Sequence, residues 1–343
     1  MKKNILFALT SVLFLVSCIS TKYISVDVYQ PAKVTLSPEI VNIAIVDNSP
    51  TFVDNSKTSL TSNNIEHISV DTAKCVFIDS LVSNLNREKF FGDVIAYPYS
   101  RDCELNNDNL LLLSPSKIKE IAREVDVDAI VTLDNFFISG KLYNVSDPFI
   151  NVVANEMALG MIIKLSIYSA DGTELSEPIF LNDTLYWSEL FSDYPYFQSL
   201  PSFKEATQQI STMAAETLVK EFVPYWETQT RYYFADSKTD KLVQSYKWEE
   251  AQKIWKAKFN EEKRAAKKAC LAHNIALSYE CLGNLDEAII WIDKANELLP
   301  STKAEIIKTQ VSLYDTILKN RSTDIEKLKD QIGSAGFSES NDL

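Results

Sequence analysis

Apolar positions recur with different periods along the chain, and each period predicts a different element. Ile5–Val16 is a continuous apolar run preceded by Lys2 and Lys3. A helix of about twelve residues falls short of the roughly 30 Å hydrocarbon core of a bilayer, so residues 1–17 read as an export signal and not a span. Val41, Ile43 and Ile45 lie in a short run ending at Asp47, the pattern of a buried strand. Ala73, Val76, Phe77, Ser80, Leu81 and Leu85 then recur at helical spacing. Val94–Tyr97 and Asp128–Leu133 are further strand candidates. Between them Ser114 caps a helix with Pro115 in its first turn and Ile118, Ile121, Ala122 and Val125 on one face. This β-α-β-α-β order predicts an α/β layer with crossover helices. The polar stretch Asn48 to Asn64 has no period and reads as a loop.

Beyond this point the pattern turns to long strands and then to helices. Met157–Tyr168 is β-rich, Asp171-Gly172 signals a hairpin turn, and Pro178–Trp187 returns. Ser202-Phe203-Lys204-Glu205 is a capping box opening a helix with Phe203, Ala206, Ile210, Met213, Ala214, Leu218 and Phe222 on its apolar face. Pro224-Tyr225-Trp226 ends that helix. Tyr225, Trp226, Tyr232, Tyr233 and Phe234 are expected to seal one domain against the next.

Residues 269–302 resemble one tetratricopeptide unit at Asn274, Ile275, Ala276, Tyr279, Gly283, Ala288, Ile292, Ala295 and Pro300. The alanines let two helices approach closely, Gly283 permits a tight turn, and Pro300 stops the second helix. Ala272 stands where that family often has Trp. Trp248-Glu249-Glu250-Ala251, with Trp255, matches the second helix of a partial preceding unit whose first helix, around Tyr233–Ser245, is poorly formed. Thr302 through Leu318 supplies a closing helix. Stacked repeats normally need about three units, so the array is expected to lean on the α/β domain. The expected order is a signal over 1–17, an α/β (or α+β) domain over 18–230, tetratricopeptide-like helices over 231–332 and a loose tail over 333–343.

Leu15-Val16-Ser17-Cys18 resembles the lipobox of bacterial lipoproteins. The resemblance implies cleavage before Cys18, acylation of its thiol and, with Ile19 following, residence in the outer membrane on its periplasmic face. Ile43–Asp47, a helix, and Val127–Leu133 after a second helix resemble the small α/β domain of envelope assembly lipoproteins, such as the curli-secretion lipoprotein and the Tol-system propeller protein. The lipobox, Val41–Ser49, Pro224-Tyr225-Trp226-Glu227 followed by Arg231-Tyr232-Tyr233, and the helical repeats together are similar to a family of uncharacterised bacterial lipoproteins. That family implies an architecture and no activity.

Composition narrows the chemistry. The 343 residues carry a net charge of -13, which excludes a broad nucleic-acid surface. Residues 18–246 hold 17 basic and 31 acidic residues, whereas 247–331 hold 15 and 14, a shift that supports a boundary between them. Seven glycines form neither G-x-G-x-x-G nor a phosphate loop. His67 and His273 fall in different expected domains, without a zinc motif. Ser114 and Lys117 match a Ser-x-x-Lys pair but fit a helix cap better, and Asp126 and Asp128 fit a helix-to-strand turn better than a metal or acid pair. Tyr186, Trp187, Phe191, Tyr194, Tyr196 and Phe197 cluster where they either pin a long connection or stack on a glycan. Cys270 and Cys281 lie about 16 Å apart along one predicted helix, beyond disulfide reach. They read as buried small hydrophobes, leaving Cys75–Cys103 as the pair to test.

No cofactor or metal is expected. The expected function is a lipid-anchored, non-enzymatic interaction or scaffold protein of the cell envelope, taking a protein or peptide partner. By the repeat pattern, Cys270, His273, Leu277, Glu280 and Cys281 would line its inward face. A structural subunit of an export or assembly complex, and a glycan-binding or enzymatic lipoprotein, are the alternatives. Residues 19–343 contain no apolar run near 18 residues, and acids interleave the lysines of 247–331 almost one for one. Membrane affinity is therefore expected to come from Cys18 alone.

Overall fold

In the computed structural model the chain is described over residues 20–50, 70–98, 112–147, 152–190 and 200–332. Cys18, His67, Cys103, the aromatics at 191–197, most of the 48–64 loop and the 333–343 tail lie outside the described residues. The elements run β1 (Thr21–Gln30), β2 (Ile43–Asp47), α1 (Val70–Glu88), β3 (Val94–Tyr97), α2 (Pro115–Val125), β4 (Ala129–Asp147), β5 (Val152–Ser169), β6 (Ile179–Leu190) and α3 (Phe203–Phe222). They continue with β7 (Tyr225–Phe234), α4 (Asp240–Gln244), α5 (Trp248–Glu261), α6 (Ala265–Cys281), α7 (Leu285–Leu298) and α8 (Glu305–Ile332). The fold is mixed α and β with a helical C-terminal region.

The chain divides into two compact units, residues 32–223 and a second unit that joins the chain up to 31 with residues 224 onward. This differs from the expected 18–230 and 231–332. The difference has one cause: β1 pairs antiparallel with β7 along its whole length, from Thr21 opposite Phe234 to Gln30 opposite Tyr225. The start of the chain therefore belongs with its end.

Residues 32–223 form one five-stranded sheet of order β3-β2-β4-β5-β6. Strand β2 runs parallel to both β3 and β4, while β4, β5 and β6 form antiparallel pairs. Alternate residues of the parallel strands enter opposite cores, as a sheet covered on both faces requires. Ile43, Ile45, Ala129 and Val131 pack with Phe77 and Leu81 of α1 and Ile210 and Leu218 of α3. Ala44, Val46 and Ile130 pack with Ile118, Ile121 and Ala122 of α2 on the other face.

Local signals set the ends of these helices. Ser114 accepts from the Lys117 amide, and Asp126 closes α2 in the left-handed region at φ 55°. The Asp128 carboxylate accepts the Val41 and Asn42 amides at 2.9 and 2.8 Å, fastening the entry to β2. Both arms of the Ser202–Glu205 capping box form. Helix α3 buries Ala206, Ile210, Ala214, Leu218 and Phe222, but Met213 is exposed. One residue before Ala214, it stands about 100° around the helix from that stripe, and Thr207 and Ser211 take the buried places. Gly172 turns the β5–β6 connection at φ +87°.

The second unit packs the β1–β7 ribbon with helices α4–α8. Residues 225–245 form strand β7 and the short α4, in place of the expected interdomain seal and deformed repeat helix. Trp255 of α5 is fully buried, and its indole N–H donates to Thr239 Oγ1 at 3.0 Å. Helices α6 and α7 make a hairpin turned by Gly283 at φ +76°, and Asn284 caps α7 by accepting the Glu287 amide. Ala272, Ala276, Ala288 and Ala295 are fully buried where two helices of small residues approach. Helix α8 runs unbroken over 28 residues, well past Leu318.

Gly140 of β4 lies under the Phe203 ring, where an added Cβ would collide with the ring edge. Gly140→Ala should therefore destabilise the protein by about 1–3 kcal/mol. Phe203→Ala should relieve most of that loss in the double variant, as a denaturant-unfolding cycle will show.

Candidate functional site

The second unit holds a buried ionic cluster. Arg231 comes from the inner face of β7, Glu280 from the last turn of α6, and Tyr314 and Arg321 from α8. Arg231 Nε donates to both Glu280 oxygens at 3.0 and 3.1 Å, and its NH2 lies 2.9 Å from Oε1. Arg321 NH1 reaches Oε1 at 2.7 Å, and the Tyr314 hydroxyl donates to Oε2 at 2.6 Å. Burial opposes the Glu280 charge, but the two guanidinium groups outweigh it and hold its pKa below the usual range. Tyr314 is pushed up by burial and by the adjacent carboxylate. Two cations and one anion leave a net of +1.

His273 stands two turns earlier on α6, between the rings of Phe234 at 5.0 Å and Tyr314 at 4.7 Å. Its Nε2 lies 2.8 Å from the Tyr232 carbonyl oxygen, which only accepts, so Nε2 carries the proton. Nδ1 is buried with no partner. Burial lowers the imidazole pKa to about 4, so the ring is neutral and adds no charge. Asn274 accepts the Phe234 amide at 2.9 Å and donates to the Phe234 carbonyl at 2.8 Å, completing β7 as a strand partner would.

These contacts correct the expected binding face. Cys270, His273, Leu277 and Glu280 are buried and Cys281 is half-buried. They point inward, as their spacing implied, but His273 and Glu280 meet β7 and α8, and Cys270 and Leu277 join the unit's apolar core. One helix hairpin offers a short inner face, and the chain's own ribbon fills it. Burial pushes the Cys270 thiol up to about 12 and the Cys281 thiol higher still, so neither is a nucleophile near neutrality. Cys75 is a free, exposed thiol.

Two cavities open in this unit. One, of about 530 Å³, is lined by Asp27, Tyr246, Trp248, Cys281 and the Glu280–Arg321 pair. The other, of about 450 Å³, is lined by Ser20, Phe234, Asp236, Lys258, Lys267 and Leu271 among others. Among the described residues no group of three His, Cys, Asp or Glu side chains is placed to hold a metal ion.

A second polar cluster sits at the carboxyl end of β2, beside Thr132 and Asp134 in the first part of β4. A register shift between Leu133 and Asn135 marks a bulge at Asp134. Its Oδ1 accepts from Thr132 at 2.8 Å and Asn48 at 3.1 Å, and its Oδ2 from Ser166 at 2.5 Å. Lys164 stands 4.0 Å away, and Lys74 pairs with Asp47 at 3.1 Å. Both Asp134 oxygens are thus spent on fixing the bulge.

The far half of the sheet shows a feature that sequence reading missed. On the face opposite α3, Phe137 lies directly across from Ile162, and Phe180 is next to Lys164, two residues along β5. Phe137 is 44%, Ile162 40%, Phe180 68% and Tyr186 69% exposed. The signal was partial: Phe137, Ile162, Phe180 and Tyr186 stand among polar residues such as Lys141, Lys164, Asn182 and Thr184 on this face, and helix α2 reaches only its near half. Trp187 points the other way, and its indole N–H donates to Gln209 of α3 at 3.2 Å.

The family model described as Domain of unknown function (DUF8603) matches residues 40–234, and that described as Domain of unknown function (DUF6340) matches residues 237–320. No curated protein matches the chain. The crystal structure of a minor lipoprotein from Acinetobacter baumannii aligns with 53% of this chain and 92% of its own, at 10% identity and a TM-score of 0.26.

Two outcomes follow from the ionic cluster. Glu280→Gln strands two buried guanidinium groups and should destabilise the protein by about 3–5 kcal/mol in urea unfolding. Acid should weaken the fold in a defined window. The folded His273 pKa of about 4 lies below the ordinary histidine value of 6.5, so its contribution is complete above pH 6.5 and lost as pH falls toward 4. The slope for this one group approaches about 1.4 kcal/mol per pH unit. Urea midpoints at pH 7, 5.5 and 4.5 will measure it, and His273→Gln should flatten the profile.

Proposed function

The chain belongs to the family described as the domain of unknown function DUF8603, and from its own residues we propose that it is a lipid-anchored, non-enzymatic interaction protein of the bacterial envelope. The anchor rests on the Leu15–Cys18 lipobox, and Ile19 after it supports residence of the mature chain in the outer membrane, with the periplasmic face as the proposed side. No helix among the described residues is long and apolar enough to cross a membrane. The α6–α7 hairpin is read as a single tetratricopeptide-like unit used inwardly, as a clamp on β7. Partner binding then moves from the expected α6 face to the sheet.

The observation that carries this reading is the apolar face of Phe137, Ile162, Phe180 and Tyr186. Antiparallel sheets with one solvated face normally place polar residues there, and contiguous exposed apolar side chains mark interaction surfaces. Among the described residues strand β6 also ends the sheet order, and its outer edge pairs with no described strand, which suits an added strand. A protein segment that is apolar and extended fits both features. The Glu280 carboxylate and both Asp134 oxygens are committed to contacts within the fold, which supports a binding reading over a catalytic one.

A photo-crosslinking residue at position 180 or 186 tests the reading in the native envelope. Adducts of one defined mass are expected from both positions and not from exposed Lys119, and Phe137→Ser with Ile162→Ser should reduce them by at least about tenfold. An adduct at twice the chain mass would assign the face to self-assembly. Absence of adducts, or a Cys18 peptide of unmodified mass from the same preparation, would refute the face or the anchor respectively.

A further inference from the structure

We propose that the α5–α6 junction is a docking surface for anionic phospholipid headgroups, held against the membrane beside the lipid anchor. The inference deepens the anchored reading and rests on it for orientation. Residues 253–268 carry seven cations against Glu261 and Glu262, a net of +5 in a chain whose total is -13. The near balance of residues 247–331 conceals this segregation: the remainder of that region is net acidic.

Some of these charges are committed. Lys258 pairs with Asp236, Arg264 with Glu262, and Lys256 donates to Tyr279. Lys268 stacks over the Phe259 ring at 4.6 Å, which leaves its charge intact. Lys263 is exposed and Lys267 half-buried, and neither ammonium makes an ion pair among the described residues. The excess positive charge therefore faces solvent.

Position gives the patch its partner. Ser20 and Lys267 line the same cavity of about 450 Å³ with Lys258, Asp236, Glu261 and Glu262, so the basic excess lies in the neighbouring Lys253, Lys263 and Lys268 and not in the cavity wall. The Ser20 carbonyl also accepts the Ala235 amide at 2.8 Å, so the chain is fastened there. Cys18 is two residues from Ser20, and two residues span at most about 7 Å along any path. Acyl chains on Cys18 would hold this basic surface at the headgroup layer. A single acyl anchor gains most from a polybasic neighbour, and each cation near an anionic surface strengthens binding several-fold.

Vesicle flotation of unacylated residues 18–343 carrying Cys18→Ser, which retain every described element, tests the surface without the anchor. At about 20 mM salt, partitioning should be at least about tenfold greater on vesicles with 30% phosphatidylglycerol than on pure phosphatidylcholine. The difference should vanish at about 0.5 M salt. Lys263→Glu with Lys267→Glu should lower it about tenfold or more, and the milder Lys263→Gln with Lys267→Gln should fall between. Equal partitioning on the two vesicles, or binding unchanged by salt or by either variant, overturns the proposal. The Cys18 peptide mass is independent of this assay, so loss of the anchor reading and loss of the lipid surface are separable.

Discussion

The second unit depends on one carboxylate. Glu280 sits at the end of α6 with Arg231 of β7 on one side and Tyr314 and Arg321 of α8 on the other. Three elements far apart in the chain meet on its two oxygens. Such a buried cluster adds little net stability over an apolar replacement, because desolvating three charges is expensive. It discriminates between arrangements instead. A one-residue slip of β7 against β1 would turn Arg231 to the outer face and leave Glu280 short of a cation. The ribbon's register is thereby tied to the helices, and the Asn274 clamp on Phe234 enforces the same register through the backbone.

This tie explains how so short a helical array stands. A repeat stack normally protects its ends with further units. Here the ribbon covers the inner face of α6, and α8 continues for 28 residues beside the hairpin. His273, enclosed by Phe234 and Tyr314 and bonded to Tyr232, is buried as a consequence. The polar residues that looked like ligands for a partner are the joints of the unit itself.

Local chemistry was legible in the residues and distant pairing was not. The Ser114 cap, the Ser202–Glu205 box, the Gly283 turn and the alternating Ile43–Val46 strand each depend on neighbours within a few positions, and each forms where expected. Strands β1 and β7 are separated by nearly two hundred residues; Ile24, Val26 and Val28 of β1 alternate with polar Ser25 and Asp27, whereas β7 shows no clean apolar alternation. Tyr225–Phe234 does carry the Thr, Tyr and Trp content favoured in strands, which was the available clue. The inward direction of His273 and Glu280 was readable from helical spacing. What filled the space in front of them was not, because that depends on β7 being a strand. Met213 failed for a smaller reason: residues 213 and 214 are adjacent, and only one of two neighbours can occupy a narrow helical stripe.

The two units resolve the same physical problem in opposite ways. In residues 32–223 the polar groups near Asp134 are folded inward and mutually satisfied, while apolar Phe137, Ile162, Phe180 and Tyr186 remain outside. In the second unit the apolar and ionic groups of α6 are consumed by the ribbon, and charged walls remain around the two cavities. Burial alone does not account for the first pattern, since exposed apolar area raises the free energy of the isolated chain, whereas hydrated surface charge costs little. The proposed partners complement each pattern, an apolar extended segment in one case and an anionic surface in the other. The acidic balance of the whole chain sharpens the second case. In so acidic a chain the proposed attraction to an anionic layer rests on the basic segment 253–268, two of whose lysines, Lys258 and Lys267, share a cavity lining with Ser20, the first described residue.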